Sequence, residues 1–217
     1  MATRAAVVFD NDGLLLDTEE AWTRAEKTLF ARRGRVFTLE HKRSLIGSAR
    51  VAAALKLEAM LELGGEGEAL MDELQELVME EALAGIAPRP GALALLERLA
   101  EAGVPVAVAS NSQREFVERT LGAAGLLDGR FATVVSVEDV ARPKPAPDIY
   151  LEACRRLGAE PGASAALEDS PTGVAAAAAA GMYVVGVPYF GGGQLPGSDL
   201  LVDSLAHPAL AAALGLG

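Results

Sequence analysis

The chain has 217 residues, enough for one large domain or for one domain with a smaller companion. Its net charge of −11 leaves no dominant basic surface, which argues against a nucleic-acid partner, while 51% apolar residues allow a sizeable core. It has one cysteine, Cys154, so an internal disulfide is excluded. No stretch resembles a signal peptide or a membrane span, so we expect a cytoplasmic protein without a membrane partner.

Short continuous apolar runs predict five buried strands, and apolar residues at helical spacing predict eight helices. The strands are expected at residues 4–9, 104–109, 131–136, 164–167 and 183–187. The helices are expected at residues 18–33, 38–45, 49–63, 67–84, 91–102, 113–124, 147–157 and 171–180. A glycine-rich loop at 191–193 and a weakly structured tail are expected to follow, and the sequence assigns no role to residues 190–217.

Strands that alternate with helices predict a parallel, doubly wound sheet of the α/β class. Residues 18–86 contain helical patterns and no strand pattern, so they interrupt this alternation. We therefore expect a Rossmann-like, three-layer α/β core made of residues 1–16 and 88–217. An all-helical cap domain is expected at residues 17–87.

Polar side chains follow four of the predicted strands. In chain order they are Asp10 and Asp12, Ser110 and Asn111, Lys144, and Glu168 and Asp169. Each segment alone has an ordinary structural explanation, such as a turn or a helix N-cap. The carboxyl ends of parallel strands share one edge of the sheet, however, so the four segments are predicted to converge on one crevice.

The residue types in this set indicate phosphate chemistry. Asp10, Glu168 and Asp169 supply oxygen ligands for Mg²⁺, and Lys144 adds positive charge beside a bound phosphate. Asp10 is the better candidate for a nucleophile that attacks phosphorus, because it comes first after the strand. Asp12 could protonate the leaving oxygen and then activate water.

Other site classes fit the sequence less well. The two histidines, His41 and His207, have no partner at metal-ligand spacing, which argues against a histidine-based hydrolase or a zinc site. A calcium loop would need a glycine at its sixth position, whereas Gly13 is the fourth residue from Asp10.

The four segments resemble the motifs of the haloacid dehalogenase superfamily. The stretch from Asp10 to Thr18 resembles its first motif, and Ser110-Asn111 the second. Lys144, in Lys-Pro-Ala-Pro-Asp, resembles the third, and Glu168-Asp169-Ser170 the fourth.

This resemblance implies roles for the motif residues. Asp10 is the implied nucleophile and Asp12 the implied acid and base. Mg²⁺ would be held by Asp10, the Asp12 backbone carbonyl and Asp169, with Glu168 nearby. Phosphate would be bound by Ser110, Asn111 and Lys144. The helical block is implied to be a cap that closes over the core and supplies specificity.

The subclass is indicated by Asp12 and by residues in the cap. An aspartate at position 12 favours phosphoryl transfer over dehalogenation, and the motif context resembles the β-phosphoglucomutase-like branch. Gly47-Ser48-Ala49-Arg50 resembles a cap loop whose arginine contacts a second phosphate in mutases, although Arg50 could equally be a surface residue. Mutases carry a histidine where Trp22 falls and a lysine near Val78, and this chain has neither.

The expected function is a Mg²⁺-dependent phosphatase that acts on a small phosphorylated metabolite, preferably a sugar phosphate, through an aspartyl-phosphate. Trp22 and Arg50 are the candidate substrate contacts in the cap. The alternative is a β-phosphoglucomutase-type mutase, and a third hypothesis is a non-catalytic binding module on the same fold. A monomer is the expectation for this fold.

Overall fold

The computed structural model describes residues 3–45, 48, 50–189 and 192–216. The chain divides into two compact units, one of Met1–Asp17 with Ala87–Gly217 and one of Thr18–Ile86. We call the first the α/β unit and the second the helical unit.

The α/β unit is built on a six-stranded sheet in the order β3-β2-β1-β4-β5-β6, in which every paired strand is parallel. The strands are β1 (Val7–Phe9), β2 (Val106–Ala109), β3 (Thr133–Val135), β4 (Ala165–Glu168), β5 (Tyr183–Gly186) and β6 (Leu200–Leu201). The first five overlap the predicted strands, and the predicted Rossmann-like α/β class is confirmed.

Nine α-helices lie in the described residues. Those of the helical unit are α1 (Thr18–Ala31), α2 (Leu39–Leu45), α3 (Arg50–Leu61) and α4 (Gly67–Ala84). Those of the α/β unit are α5 (Ala92–Glu101), α6 (Arg114–Ala123), α7 (Asp148–Leu157), α8 (Pro171–Ala179) and α9 (Pro208–Leu214). None of the described helices combines the length and the apolar character that a membrane crossing needs.

The sheet is covered on both faces because successive side chains of a strand point to opposite sides. Val8 belongs to a buried cluster that includes Ile149 and Cys154 of α7 and Val174 of α8. The neighbouring side chain Phe9 points to the other face and is also fully buried. Burial on both faces explains why the strands read as uninterrupted apolar runs.

In the helical unit, α4 packs against α1 and α3. The described residues of this unit, 18–45, 48 and 50–86, contain no strand, as the sequence predicts.

The prediction of a weakly structured tail is wrong. The tail contains β6, which extends the sheet beyond β5, and α9, whose Leu210 and Leu214 are buried. Pro208 begins α9 at a position where its missing N–H costs no hydrogen bond, and the leucines four residues apart share one face. Residue 191 of the expected glycine-rich loop lies outside the described residues.

We expect Gly91→Ala to lower the free energy of unfolding by about 2–4 kcal/mol, from backbone strain and overpacking together. Gly91 precedes α5 with φ +88°, and a Cβ there would overlap the backbone of Leu205 and Ala206. Urea denaturation of the purified variant measures the change.

Gly103→Ala is the matched control, since Gly103 also has a positive φ, of +67°, but no atom within 4 Å of an added Cβ. It should cost only about 1 kcal/mol, the strain of the left-handed backbone alone. Equal losses in the two variants would contradict close packing of the tail on Gly91.

Candidate active site

The strand register brings the polar segments together at the carboxyl edge of the sheet. Phe9 of β1 is paired with Val108 of β2 on one side and with Leu167 of β4 on the other. The next residue, Asp10, therefore lies between the ends of both neighbouring strands, with Glu168 on the β4 side. Asp10 and Glu168 are both buried, at 7% and 0% exposure.

Lys144 is a buried ammonium that links these two carboxylates. Its Nζ donates to Asp10 Oδ1 and to Glu168 Oε1, each at 2.6 Å, and to the Ala109 carbonyl at 2.9 Å. All three ammonium protons thus have an acceptor. The positive charge of Lys144 therefore balances part of the negative charge of the buried carboxylates.

Asn111 fastens the segment that carries Lys144. Its Oδ1 accepts from the Lys144 backbone N–H at 2.9 Å, and its Nδ2 donates to the Lys144 carbonyl at 3.2 Å. The sequence predicts Asn111 as a phosphate ligand, whereas its amide oxygen and nitrogen here hold the Lys144 backbone.

The carboxylates of Asp10, Glu168 and Asp169 form a cluster able to hold a metal ion. Each offers one oxygen, and the three oxygens lie within 4.8 Å of one another. An all-oxygen donor set of carboxylates suits a hard divalent cation such as Mg²⁺. The excess of carboxylates over Lys144 is further reason for a cation to fit here.

Two glycines leave the space that these carboxylates occupy. A Cβ on Gly13, whose φ is +82°, would overlap the Asp169 carboxylate. A Cβ on Gly173, in the first turn of α8, would overlap the carboxylate of Glu168. Neither carboxylate could keep its position beside a larger residue.

Asp12 lies in a separate hydrogen-bond set. Its Oδ2 accepts from the hydroxyls of Ser110 at 3.0 Å and Ser112 at 2.7 Å, and the Asn11 amide approaches Oδ1 at 3.4 Å. Asp12 therefore accepts hydrogen bonds from neutral donors, whereas Asp10 accepts one from a lysine. The two aspartates of the first motif thus have different surroundings.

The pKa values of Asp10 and Lys144 are both raised, for different reasons. Desolvation raises the pKa of Asp10 to about 8, opposed by Lys144 and reinforced by the charges of Glu168 and Asp12. Desolvation alone would lower the pKa of Lys144, but Asp10 and Glu168 raise it overall, so Lys144 stays charged.

Three contacts were not identified from the sequence. Ser112 bonds to Asp12, while the Tyr150 hydroxyl of α7 donates to Glu168 Oε1 and the Ser170 hydroxyl to Glu168 Oε2. Ser170 belongs to the segment that resembles the fourth motif and Ser112 adjoins the second, so both contacts could have been anticipated. Tyr150 lies within a helix pattern that gives no sign of a site.

The two candidate residues of the helical unit have different surroundings. Trp22 is half-buried and lines a cavity inside this unit. The Arg50 guanidinium donates to side chains of α4, at 3.2 Å to Glu68, 2.6 Å to Asp72 and 3.0 Å to Gln75. Of the predicted loop that contains Arg50, Gly47 and Ala49 lie outside the described residues.

The combination of fold and site defines a class of enzyme. A parallel sheet with buried carboxylates, a lysine and hydroxyls at its carboxyl edge is suited to metal-assisted hydrolysis through a carboxylate. The chain belongs to the haloacid dehalogenase-like hydrolase family, whose model matches residues 5–181. This confirms the predicted superfamily. Hydrolases of this family generally use a divalent metal, and the carboxylate cluster described above could hold one.

Curated relatives support the same class. The chain is 34% identical over 191 residues to validoxylamine A 7'-phosphate phosphatase of Streptomyces hygroscopicus subsp. limoneus, covering 83% of this chain and 84% of the relative. It spans only 48% of the bifunctional riboflavin kinase/FMN phosphatase of Arabidopsis thaliana, at 32% identity over 184 residues and 85% of this chain. The predicted class, a phosphoric monoester hydrolase of the haloacid dehalogenase type, is confirmed.

Solved structures extend the comparison to the predicted branch. CbbY of Rhodobacter sphaeroides, solved with phosphate, has a TM-score of 0.82 at 30% identity, with 98% of this chain and 100% of that chain covered. A variant of CbbY has been solved with xylulose-(1,5)-bisphosphate. A candidate β-phosphoglucomutase of Thermotoga maritima, at 27% identity, has a TM-score of 0.79, with 91% of this chain and 93% of that chain covered. The predicted β-phosphoglucomutase-like branch is confirmed.

We expect the stability of the metal-free protein to fall as pH rises, because of Asp10. The folded carboxyl keeps its proton up to a pKa of about 8, while the unfolded one loses it near 3.8. Between these values the folded state binds more protons, so raising the pH favours unfolding. From about pH 5 to about pH 8, wild type should lose about 3–4 kcal/mol relative to Asp10→Asn.

Urea denaturation of both chains in a chelating buffer measures this difference. Comparison with Asp10→Asn removes the background of other titrating groups, such as Asp139 and Glu152, whose pKa values are lowered. Parallel stability profiles for the two chains would contradict a protonated, buried Asp10.

Proposed function

We propose that the protein is a Mg²⁺-dependent phosphatase that hydrolyses a small phosphorylated metabolite through an aspartyl-phosphate on Asp10. The observation that carries this proposal is the triple contact of Lys144 Nζ with Asp10, Glu168 and the Ala109 carbonyl. This contact keeps a positive charge beside Asp10, and bound Mg²⁺ would lower the pKa of Asp10 so that its carboxylate is ionised for attack.

The proposed reaction has two displacements at phosphorus. A carboxylate oxygen of Asp10 forms a bond to phosphorus as the ester P–O bond breaks, and the Asp12 carboxyl donates its proton to the leaving alcohol oxygen. Asp12, now ionised, takes a proton from a water molecule. That water attacks the aspartyl-phosphate, which releases inorganic phosphate and restores Asp10.

The surrounding residues have positioning roles in this proposal. Ser110 and Ser112 hold the Asp12 carboxyl, Ser110 and Lys144 supply donors for phosphoryl oxygens, and Asn111 keeps Lys144 in place through the Lys144 backbone. Asp10, Asp169 and the Asp12 backbone carbonyl would hold Mg²⁺, with Glu168 beside them. When bound, Mg²⁺ would neutralise phosphoryl charge that the carboxylates otherwise repel.

A sugar phosphate is the substrate class we favour. This choice is supported by CbbY, which resembles this chain over 94% of its length. A variant of CbbY has been solved with a sugar bisphosphate. We propose that the helical unit acts as the cap that selects this substrate, and that the protein works as a monomer.

The mutase alternative is less well supported by the helical unit. Val78 of α4, near the position of a lysine in mutases, is fully buried and apolar. Arg50, the candidate for a second phosphate contact, is engaged by two carboxylates and an amide of α4. Both observations favour hydrolysis.

We expect Asp10→Asn to lower phosphate release from p-nitrophenyl phosphate in Mg²⁺ by roughly a thousandfold or more, because an amide cannot replace the nucleophile. Colorimetric assay of the released nitrophenol measures this loss. Asp128→Asn, on an exposed loop of the same unit, is the control and should retain full turnover.

Chelation of metal should reduce wild-type turnover to the level of Asp10→Asn, and added Mg²⁺ should restore it. Turnover that persists in Asp10→Asn would disprove the nucleophile. Absence of turnover across many phosphate esters, with Mg²⁺ still bound, would instead favour a non-catalytic module.

We expect glucose 1-phosphate, supplied with a glucose bisphosphate, to yield mainly inorganic phosphate rather than glucose 6-phosphate. Trp22 and Val78 stand where mutases carry a histidine and a lysine. Phosphorus NMR follows all these species together. Rapid interconversion with little free phosphate would establish the mutase alternative.

A further inference from the structure

Tyr150 is a fully buried side chain that reaches the site from inside helix α7. It belongs to the same buried cluster as its neighbours Ile149 and Cys154, and its hydroxyl donates to Glu168 Oε1. A buried phenol hydroxyl needs a hydrogen-bond partner, whereas a phenylalanine ring would fill the same space without one. The hydroxyl, rather than the ring, is therefore the part of Tyr150 that packing does not explain.

Glu168 is held by donors on both of its carboxylate oxygens. Oε1 accepts two hydrogen bonds, one from the Tyr150 hydroxyl and one from Lys144 Nζ, and Oε2 accepts a third from the Ser170 hydroxyl. Donors on both oxygens fix the rotation of the carboxylate. Glu168 therefore presents Oε1 to Lys144 in one orientation.

Lys144 connects Glu168 with the proposed nucleophile. Its Nζ lies at the same distance, 2.6 Å, from Glu168 Oε1 and from Asp10 Oδ1. The ring of Tyr150 is also close, with 5.0 Å between Nζ and the ring centroid, a distance at which a cation is attracted to an aromatic ring. Tyr150 thus contacts both the ammonium and the oxygen that competes with Asp10 for it.

The hydroxyl of Tyr150 weakens the attraction between Glu168 and Lys144. Its hydrogen carries partial positive charge next to the oxygen that also binds the ammonium, so it balances part of the charge of that oxygen and repels the ammonium. Without this hydrogen, Oε1 would accept from Lys144 alone and would attract it more strongly, while the attraction of Asp10 would be unchanged. The ammonium would then move away from Asp10 toward Glu168.

We propose that Tyr150 is a positioning residue for the reaction, and that its hydroxyl keeps Lys144 beside Asp10 by limiting the attraction of Glu168 for the ammonium. This deepens the proposed function and rests on it for the identity of the reaction. Tyr150 is completely buried and acts through Lys144, whose charge stabilises the phosphoryl group only while it lies near Asp10.

Tyr150→Phe tests this role because it removes the hydroxyl and keeps the ring. With p-nitrophenyl phosphate and saturating Mg²⁺, kcat should fall about tenfold, the effect of one hydrogen bond to a charged group, while KM changes by less than about twofold. The Mg²⁺ concentration that gives half of the maximal rate should also change by less than about twofold, because the lysine and not the metal is displaced.

Tyr183→Phe is the matched control. Tyr183 is the first residue of β5, at the amino end of the strand and away from the carboxyl edge, and its ring lies under the Arg4 guanidinium. This variant should keep the wild-type kcat. Urea denaturation measures the stability of both variants separately, since a tyrosine with only a structural role would change stability and leave the kcat of the folded protein unchanged.

A crystal structure of Tyr150→Phe gives a second measurement that does not depend on turnover. Lys144 Nζ should lie farther from Asp10 Oδ1 and no farther from Glu168 than in a wild-type crystal grown under the same conditions. An unmoved Nζ would overturn the proposed role of Tyr150.

The kinetic outcomes separate this proposal from the proposed function. Turnover that persists in Asp10→Asn would disprove the aspartyl-phosphate on Asp10, and the position of Lys144 Nζ would then decide the role of Tyr150. A wild-type kcat in Tyr150→Phe, with Asp10→Asn inactive, would overturn the role of Tyr150 alone. So would a loss of rate that additional Mg²⁺ restores, because the hydroxyl would then act on metal binding through Glu168.

Discussion

The buried contact of Lys144 with Asp10 and Glu168 is the interaction on which the site depends. Two carboxylates at adjacent strand ends, both nearly inaccessible to water, would repel each other strongly without a cation between them. Lys144 supplies one positive charge at 2.6 Å from each. The third carboxylate, Asp169, adds negative charge that Lys144 does not balance, and a divalent cation can neutralise it.

Backbone geometry positions the residues of this contact, in addition to the attraction between their charges. The parallel register of β1 with β4 sets Asp10 beside Glu168, and Asn111 holds the Lys144 backbone from the neighbouring strand end. Gly13 and Gly173 keep open the volumes that the acidic side chains fill. The two glycines are therefore as necessary to the geometry of the site as the charged residues are.

The sequence predicts most of this site because parallel strands share one carboxyl edge. Polar residues that follow four parallel strands lie at the same edge of the sheet, whatever the order of the strands. Asp10, Ser110, Lys144 and Glu168 could therefore be grouped from the sequence alone. Tyr150 could not, since its hydroxyl reaches Glu168 from inside a helix whose pattern reads only as core. The side-chain direction of Asn111 is likewise a tertiary property.

The prediction was weakest where elements are short. Strand β6 has two residues, too few for any periodicity, and helix α9 has seven. The N-terminal proline and spaced leucines of α9 were signals that could have been used. Burial in the helical unit was also unpredictable, because Lys42 and Glu26 occupy positions that a helical pattern assigns equally well to an exposed, charged face.

The same arrangement of charges, one buried lysine between two carboxylates, occurs in both units with different surroundings. In each, a buried lysine lies between two carboxylates, Lys144 in the α/β unit and Lys42 in the helical unit. At Lys144 a third carboxylate and two glycines create a polar space that suits a metal ion. At Lys42 the neighbours are an indole, a thioether and leucines, so the space beside the ion pair is largely apolar. The surroundings of the lysine, rather than the ion pair itself, therefore distinguish the two spaces.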